Sequence, residues 1–169
     1  MDEYRSKYTE RGPDSSRIKN KDECFLLSEE HGVVQIKIAP ISDLVCGMPP
    51  QDLSERNSDR AKFIWVIQKD SSPRILEKSG KVEFLESKRA THTNLTGGKK
   101  AYCGGEIWFQ SEDTIYISGA SGRYPPRDSQ ELEDICDAFR RLGYKVASLG
   151  WDSDRNWPYS LARGEYVHT

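Results

Sequence analysis

The hydrophobic pattern of the chain changes its period once, after Asp128. From there, apolar residues recur at a spacing that places them on one face of an α-helix: Leu132, Ile135, Cys136, Phe139 and Leu142. Asp128 or Ser129 can cap the N-terminus, and Glu131 stands three residues after Asp128, as in a capping box. Gly143 suits the C-terminal cap. The pattern therefore predicts one principal helix near residues 128–142.

Short apolar or alternating runs elsewhere in the chain predict β-strands. They cover residues 33–38, 62–68, 74–76, 82–85, 106–109, 114–118 and 145–149. Only one strand–loop–helix–strand unit is visible, whereas a doubly wound parallel sheet needs several. We therefore predict an α+β fold, in which a mainly antiparallel sheet of about five to seven strands carries the helix on one face.

The length of the chain, 169 residues, predicts one domain, which we place at residues 21–169. Residues 1–20 are polar and contain Gly12-Pro13, so they predict a mobile leader or an arm lying on the surface. A charged segment after Ile41 reads as a loop with a short helix at 52–57. The tail from Trp151 is too aromatic to be wholly disordered.

Composition excludes several classes of protein. The net charge of −2 argues against a protein that binds duplex nucleic acid by neutralising phosphates. No apolar run approaches the roughly 20 residues that cross a bilayer, so we expect neither a membrane partner nor a secretory signal, and a cytoplasmic location. The four cysteines form no C-x-x-C pair, so we expect reduced thiols, at least two of them buried, and no metal site: Cys24, Cys46, Cys103 and Cys136.

The segment from His92 to Pro126 is the candidate site. It concentrates glycines around one histidine, one glutamate and one arginine: Gly97, Gly98, Gly104, Gly105, Gly119 and Gly122. Such glycines let backbone N–H groups approach a ligand, and they equally suit hairpin turns.

Two residues of this segment are predicted to be catalytic. A neutral His92 can bond a sugar hydroxyl or act as a general base, with Thr93 and Asn94 orienting it. The alternative is a surface histidine bonded to backbone. Glu106 follows two glycines and can stabilise developing positive charge or polarise a hydroxyl. The alternative is an exposed carboxylate at the start of a strand.

A second group of residues is predicted to bind the ligand. Arg123 can grip a phosphate, and Tyr124 can stack on a ring, although packing of Tyr124 on Pro125 is an equal alternative. The start of the helix at Ser129 can face an anion. The alternative is that the preceding glycines only shape a turn. The remaining residues of this set are Thr93, Asn94, Gly98, Gly105, Ser121 and Gly122.

The stretch HTNLTGGKKAYCGGEI, followed by ISGASGRYPP, resembles a paired motif of known modules. The motif reads His-Ser-Ser-Leu…Gly…Ala-Gly-Glu plus Ser-Gly-His-Tyr-x-Pro, and it occurs in C-terminal modules of some bacterial polymorphic toxins and in plant IQ-motif calmodulin-binding proteins. The matching positions are His92, Thr93, Asn94, Leu95, Gly98, Gly105, Glu106, Ser121, Gly122, Tyr124 and Pro126. The resemblance implies a compact mixed fold and use as an effector.

The chain departs from this motif at two positions. Arg123 stands where the motif has its second histidine, and Thr91 stands where plant members have another histidine. A mechanism that needs two imidazoles is therefore not implied. The chain also lacks a basic amphipathic helix of the IQ type, so calmodulin binding is not implied.

These observations predict a pocket that binds a nucleotide-like or phosphate-bearing small molecule. One hypothesis is a transferase of the toxin-effector type acting on NAD or another nucleotide, since a histidine, aromatic and glutamate set is similar to the site of ADP-ribosyltransferases. The other hypothesis is a non-catalytic sensor, immunity protein or protein-interaction module, which leaves a protein partner open.

Overall fold

A computed structural model describes residues 1–55, 61–80 and 82–162. Its helices are α1 (Asp2–Lys7), α2 (His92–Thr96) and α3 (Ser129–Arg140). Its strands are β1 (Val34–Gln35), β2 (Phe63–Ile67), β3 (Arg74–Glu77), β4 (Cys103–Phe109), β5 (Thr114–Ser118), β6 (Lys145–Ser148), β7 (Trp151–Asp152) and β8 (Trp157–Pro158). Short 3₁₀ turns lie at Ser15–Arg17, Lys21–Cys24 and Glu29–His31.

Six of the strands form one sheet in the order β1-β3-β2-β4-β5-β6. Every neighbouring pair is antiparallel except β5 and β6, which are parallel and are joined by α3. β7 and β8 form a separate antiparallel hairpin. The predicted α+β fold, with its mainly antiparallel sheet and one principal helix, is confirmed.

Both faces of the sheet are covered, which explains why all five residues of β2 are apolar and buried. On one face, Trp65 packs against Phe139 of α3, with ring centroids 6.1 Å apart. On the other face, Ile64 and Val66 pack with Leu95 of α2. The catalytic and binding residues predicted from the sequence belong mainly to this second face.

The start of α3 follows its predicted capping pattern in part. The Asp128 carboxylate accepts a hydrogen bond from the backbone N–H of Glu131 at 2.8 Å. The Glu131 carboxylate does not reach back to Asp128. It accepts from the backbone N–H of Arg127 at 2.6 Å and from the Tyr4 hydroxyl at 2.9 Å.

The segment expected to be a mobile leader or a surface arm packs on the domain through α1. Tyr4 is the reason, because its ring is only 1% exposed and its hydroxyl bonds the fully buried Glu131. Burial and the neighbouring Cys103 and Glu131 raise the pKa of Tyr4, so the hydroxyl keeps its proton and remains a donor. One aromatic residue with a buried partner thus anchors a polar segment.

Three other predictions of secondary structure were wrong or incomplete. Residues 82–85 form turns instead of a strand, closed by a bond from the N–H of Leu85 to the oxygen of Val82 at 3.0 Å. β1 is shorter than the predicted 33–38 because Pro73, whose oxygen accepts from the N–H of Ile36, has no N–H with which to continue the pairing. Residues 51–55 are turns, and the rest of the helix predicted at 52–57 lies outside the described residues.

The described cysteines are all free thiols, and Cys103 and Cys136 are buried, as predicted. Within the described ranges, no helix has the length and apolar character needed to cross a membrane.

Candidate functional site

A cleft of about 660 Å³ opens on the sheet face that carries α2. Its floor comes from the sheet, where Glu106 of β4 lies opposite Ile64 of β2 and Lys62 lies just before β2. Its walls are the start of α2, the loop at residues 120–123, the segment around Arg17 and Glu23, and the β7–β8 hairpin. Segments far apart in the chain therefore meet around one cavity.

Five of the residues predicted from the sequence line this cleft: His92, Glu106, Ser121, Gly122 and Arg123. Six others do not line it: Thr93, Asn94, Gly98, Gly105, Tyr124 and Ser129. The structure thus brings together both predicted catalytic residues and one end of the glycine-bearing loop.

The residues outside the cleft have structural roles that their contacts explain. The Asn94 amide donates to the carbonyl oxygens of Asp22 and Phe25, which ties α2 to a 3₁₀ turn. The Tyr124 hydroxyl donates to the oxygen of Lys99 at 2.7 Å and bonds the Thr96 hydroxyl, and burial raises the pKa of Tyr124 to about 12. Tyr124 is therefore a packed residue, as one sequence alternative proposed, but the side chain that its hydroxyl bonds is Thr96 and the predicted neighbour was Pro125.

Three of the four remaining residues also lie away from the cavity, and Gly105 is described below. Thr93 is fully buried, and Ser129 is exposed at the start of α3. Gly98 has a φ of +74°, and a side chain there would meet the Cys24 sulfur. These glycine and serine positions shape turns and the helix start.

Gly104 and Gly105 lack side chains because rings occupy the space above them. A Cβ on Gly104 would lie 3.0 Å from the His92 ring and 2.7 Å from the oxygen of Trp65. A Cβ on Gly105 would lie 2.0 Å from the oxygen of Ser118 and 2.8 Å from the Trp65 indole. The glycine pair therefore accommodates His92 on one face of β4 and Trp65 on the other.

His92 is buried, with 7% of its surface exposed, and it lies over β4. Its Nε2 is 2.8 Å from the carbonyl oxygen of Gly105, which can only accept, so Nε2 carries the proton. Burial, with a smaller contribution from the charges of Lys78 and Arg123, lowers the pKa of His92 to about 3, although the hydrogen bond to Gly105 opposes this shift. The imidazole is therefore neutral, and Nδ1 has no hydrogen-bond partner among the described residues and is available as an acceptor.

Glu106 is not the exposed carboxylate that one sequence alternative proposed. Its side chain is 11% exposed, and its Oε1 lies 3.6 Å from Nζ of Lys62 and 3.9 Å from Nζ of Lys78. Two ammonium groups thus balance one carboxylate on the cleft floor.

Positive charge predominates around the whole cleft. Among the residues that the structure describes, seven basic ones line it: Arg17, Lys19, Lys62, Lys78, Arg89, Arg123 and Arg155. Three acidic residues of the same described ranges accompany them: Glu23, Glu106 and Asp152. This excess occurs on a chain whose net charge is −2.

Arg123 forms part of the cleft wall. Its guanidinium pairs with the Glu23 carboxylate and donates to the carbonyl oxygen of Arg17 at 3.2 Å. It therefore holds the segment containing Arg17 and Lys19 against the glycine-bearing loop, which positions their charges.

Sequence reasoning missed most of the cations of the cleft and the β7–β8 hairpin. Lys62 is the first residue of one predicted strand, Lys78 follows another, and neither carries a motif signal. The one usable signal for the hairpin was the aromatic content of the tail. Two of these aromatic residues, Trp157 and Tyr159, line the cleft.

Among the described residues, no cluster of three His, Cys, Asp or Glu side chains is arranged to hold a metal ion. The chain matches no protein-family model, no curated protein and no solved structure. The resemblance to toxin and plant modules therefore stays a prediction.

Proposed function

We propose that the cleft binds a phosphate-bearing small molecule of the nucleotide class. The observation that carries the proposal is the excess of basic over acidic side chains around one cavity of an acidic chain. A concave surface lined by one sign of charge concentrates ligands of the opposite sign. Arginine and lysine also supply the charge-assisted hydrogen bonds that phosphate oxygens accept.

His92 supports a sugar-bearing ligand. His92 lines the cleft, and because its Nε2–H is bonded to Gly105, the other nitrogen of the neutral ring, Nδ1, can act only as an acceptor. A ribose hydroxyl is a donor that such a nitrogen can accept from. This retains the binding role predicted for His92.

The same geometry favours binding over turnover. A general base works best with a pKa near the working pH, and His92, with a pKa of about 3, is a weak base. Glu106 is flanked by Lys62 and Lys78, so its carboxylate is already balanced by cations. These features favour the non-catalytic sensor over the effector-type transferase.

Calorimetric titration of the full chain with pyrophosphate, ADP and NAD tests the proposal. One variant replaces three exposed cleft cations by serine: Arg17, Lys19 and Arg155. A matched variant removes the same charge from exposed cations outside the cleft: Lys7, Arg141 and Lys145. At about 0.5 kcal/mol per cation, the first variant should weaken binding roughly tenfold.

The matched variant should change the dissociation constant less than twofold. Equal losses in the two variants, or no binding by the unmodified chain, would contradict the proposal. Chromatography of the same mixtures detects conversion: binding without product supports the sensor, and release of nicotinamide from NAD supports the transferase.

A further inference from the structure

Trp157 is a large aromatic residue that remains 41% exposed at the cleft. The β7–β8 hairpin sets its direction, because Trp157 pairs with Asp152 and Trp151 pairs with Pro158. Directly opposed residues of an antiparallel pair share one face, and successive residues alternate. Trp157 and Asp152 therefore share one face of the hairpin, and both line the cleft.

The hairpin is held in place by hydrogen bonds at both ends. At its turn, the Asp152 carboxylate accepts from the N–H groups of Asp154 and Arg155, at 3.1 and 3.2 Å. At its base, the N–H of Tyr159 bonds the oxygen of Gly150, and the Ser118 hydroxyl donates to the oxygen of Tyr159 at 2.6 Å. The indole is therefore presented from a fixed backbone next to the sheet.

An exposed indole beside a cationic cavity offers two kinds of contact to one ligand. The cations suit phosphate, and the indole face suits a flat aromatic ring, since stacking accepts any base. Inorganic phosphates and sugar phosphates carry no ring and leave the indole without a role in binding. A nucleotide uses both features.

We propose that Trp157 is the stacking surface for the base of a nucleotide, so that the cleft selects nucleotides over sugar phosphates. This inference rests on the proposed function, since it assigns the second half of the same ligand. It adds a specificity-determining residue that lies outside the glycine-rich segment.

Titration with AMP and with ribose 5-phosphate tests the inference, because the two ligands carry the same phosphate and sugar and differ in the base. The full chain should bind AMP about tenfold more tightly, in line with the usual contribution of stacking on an aromatic side chain. Trp157→Leu should abolish this preference and leave the affinity for ribose 5-phosphate unchanged, whereas Trp157→Phe should retain most of it. Phe84→Leu, at an exposed aromatic residue that does not line the cleft, is the matched control and should retain it fully.

Equal affinities of the unmodified chain for AMP and ribose 5-phosphate would overturn the inference and leave the proposed function standing. Binding of neither ligand would overturn both. If Trp157→Leu does not fold, as judged by its thermal melt, Trp157→Gln replaces it in the comparison of the two ligands and should abolish the preference for AMP in the same way. A preference for AMP that survives in a folded Trp157→Leu variant would assign the base to another contact.

Discussion

Replacing His92 by glutamine should change how the stability of the protein depends on pH. In the folded chain the pKa of His92 is about 3, because the ring is buried and lies near the charges of Lys78 and Arg123, and the hydrogen bond to Gly105 offsets only part of this lowering. In the unfolded chain it should return to about 6.5. Between these values the unfolded state binds a proton that the folded state does not bind, so the free energy of unfolding falls as the pH falls.

The size of the effect follows from the two pKa values. Above pH 7 His92 is neutral in both states and contributes no pH dependence. At pH 5 the unfolded imidazole is almost fully protonated and the folded one is not, which lowers the free energy of unfolding by about 2 kcal/mol. The loss continues at about 1.4 kcal/mol per pH unit until the pH approaches 3.

Urea unfolding followed by tryptophan fluorescence, at pH 5, 6, 7 and 8, measures this for the unmodified chain and for His92→Gln. All other titrating groups are common to the two proteins, so they cancel to first order in the difference between the two curves. The difference in stability should shift by about 2 kcal/mol between pH 8 and pH 5, in favour of the variant at low pH. Parallel curves would refute the assignment of His92 as a buried neutral acceptor.

Two further substitutions test the packing and the charges of the cleft floor. Gly105→Ala should lower the free energy of unfolding by about 3 kcal/mol, because its Cβ would overlap the oxygen of Ser118, whereas Gly122→Ala, with no atom within 4 Å, should change it by less than about 0.5 kcal/mol. Similar melting temperatures for the two variants would contradict this reading of the glycines. Glu106→Gln should also lower the free energy of unfolding by about 3 kcal/mol, since it removes the buried carboxylate that pairs with Lys62 and Lys78, and adding Lys62→Met should restore part of that loss in urea unfolding. A single variant as stable as the unmodified chain would show that the pairs contribute nothing.

The parts of the fold that the sequence predicted are those with a long or regular period. α3 follows from apolar residues at helical spacing and from Asp128 as its cap, and the long runs of β2 and β5 follow from their apolar content. α2 has only five residues, which is too short to show a period, and its threonines favour strands. Its usable signals were local: Thr91 and Asn94 bond each other as a capping box, and Gly97 ends the helix with a φ of +64°.

The residues of the candidate site could be selected from the sequence, but their neighbours could not. His92 meets the oxygen of Gly105 because β4 pairs with β2 in a register that only the folded sheet defines. The density of glycines suggested close approach of a ligand. In the structure, Gly104 and Gly105 make room for His92 and Trp65. The groups that approach these glycines closely are therefore side chains of the same protein. A glycine pair inside a strand is equally a signal for bulky partners in the same chain.

The positive cleft is hidden in the sequence for a different reason. Its cations come one or two at a time from segments separated by most of the chain, such as Arg17, Lys62, Arg123 and Arg155, and none of these segments is a basic run. Net charge averages over all faces of a protein, whereas a ligand responds to the potential of the one surface it approaches. A value of −2 is therefore compatible with a strongly positive cavity. The ligand class that we propose rests on how the fold gathers these charges around His92.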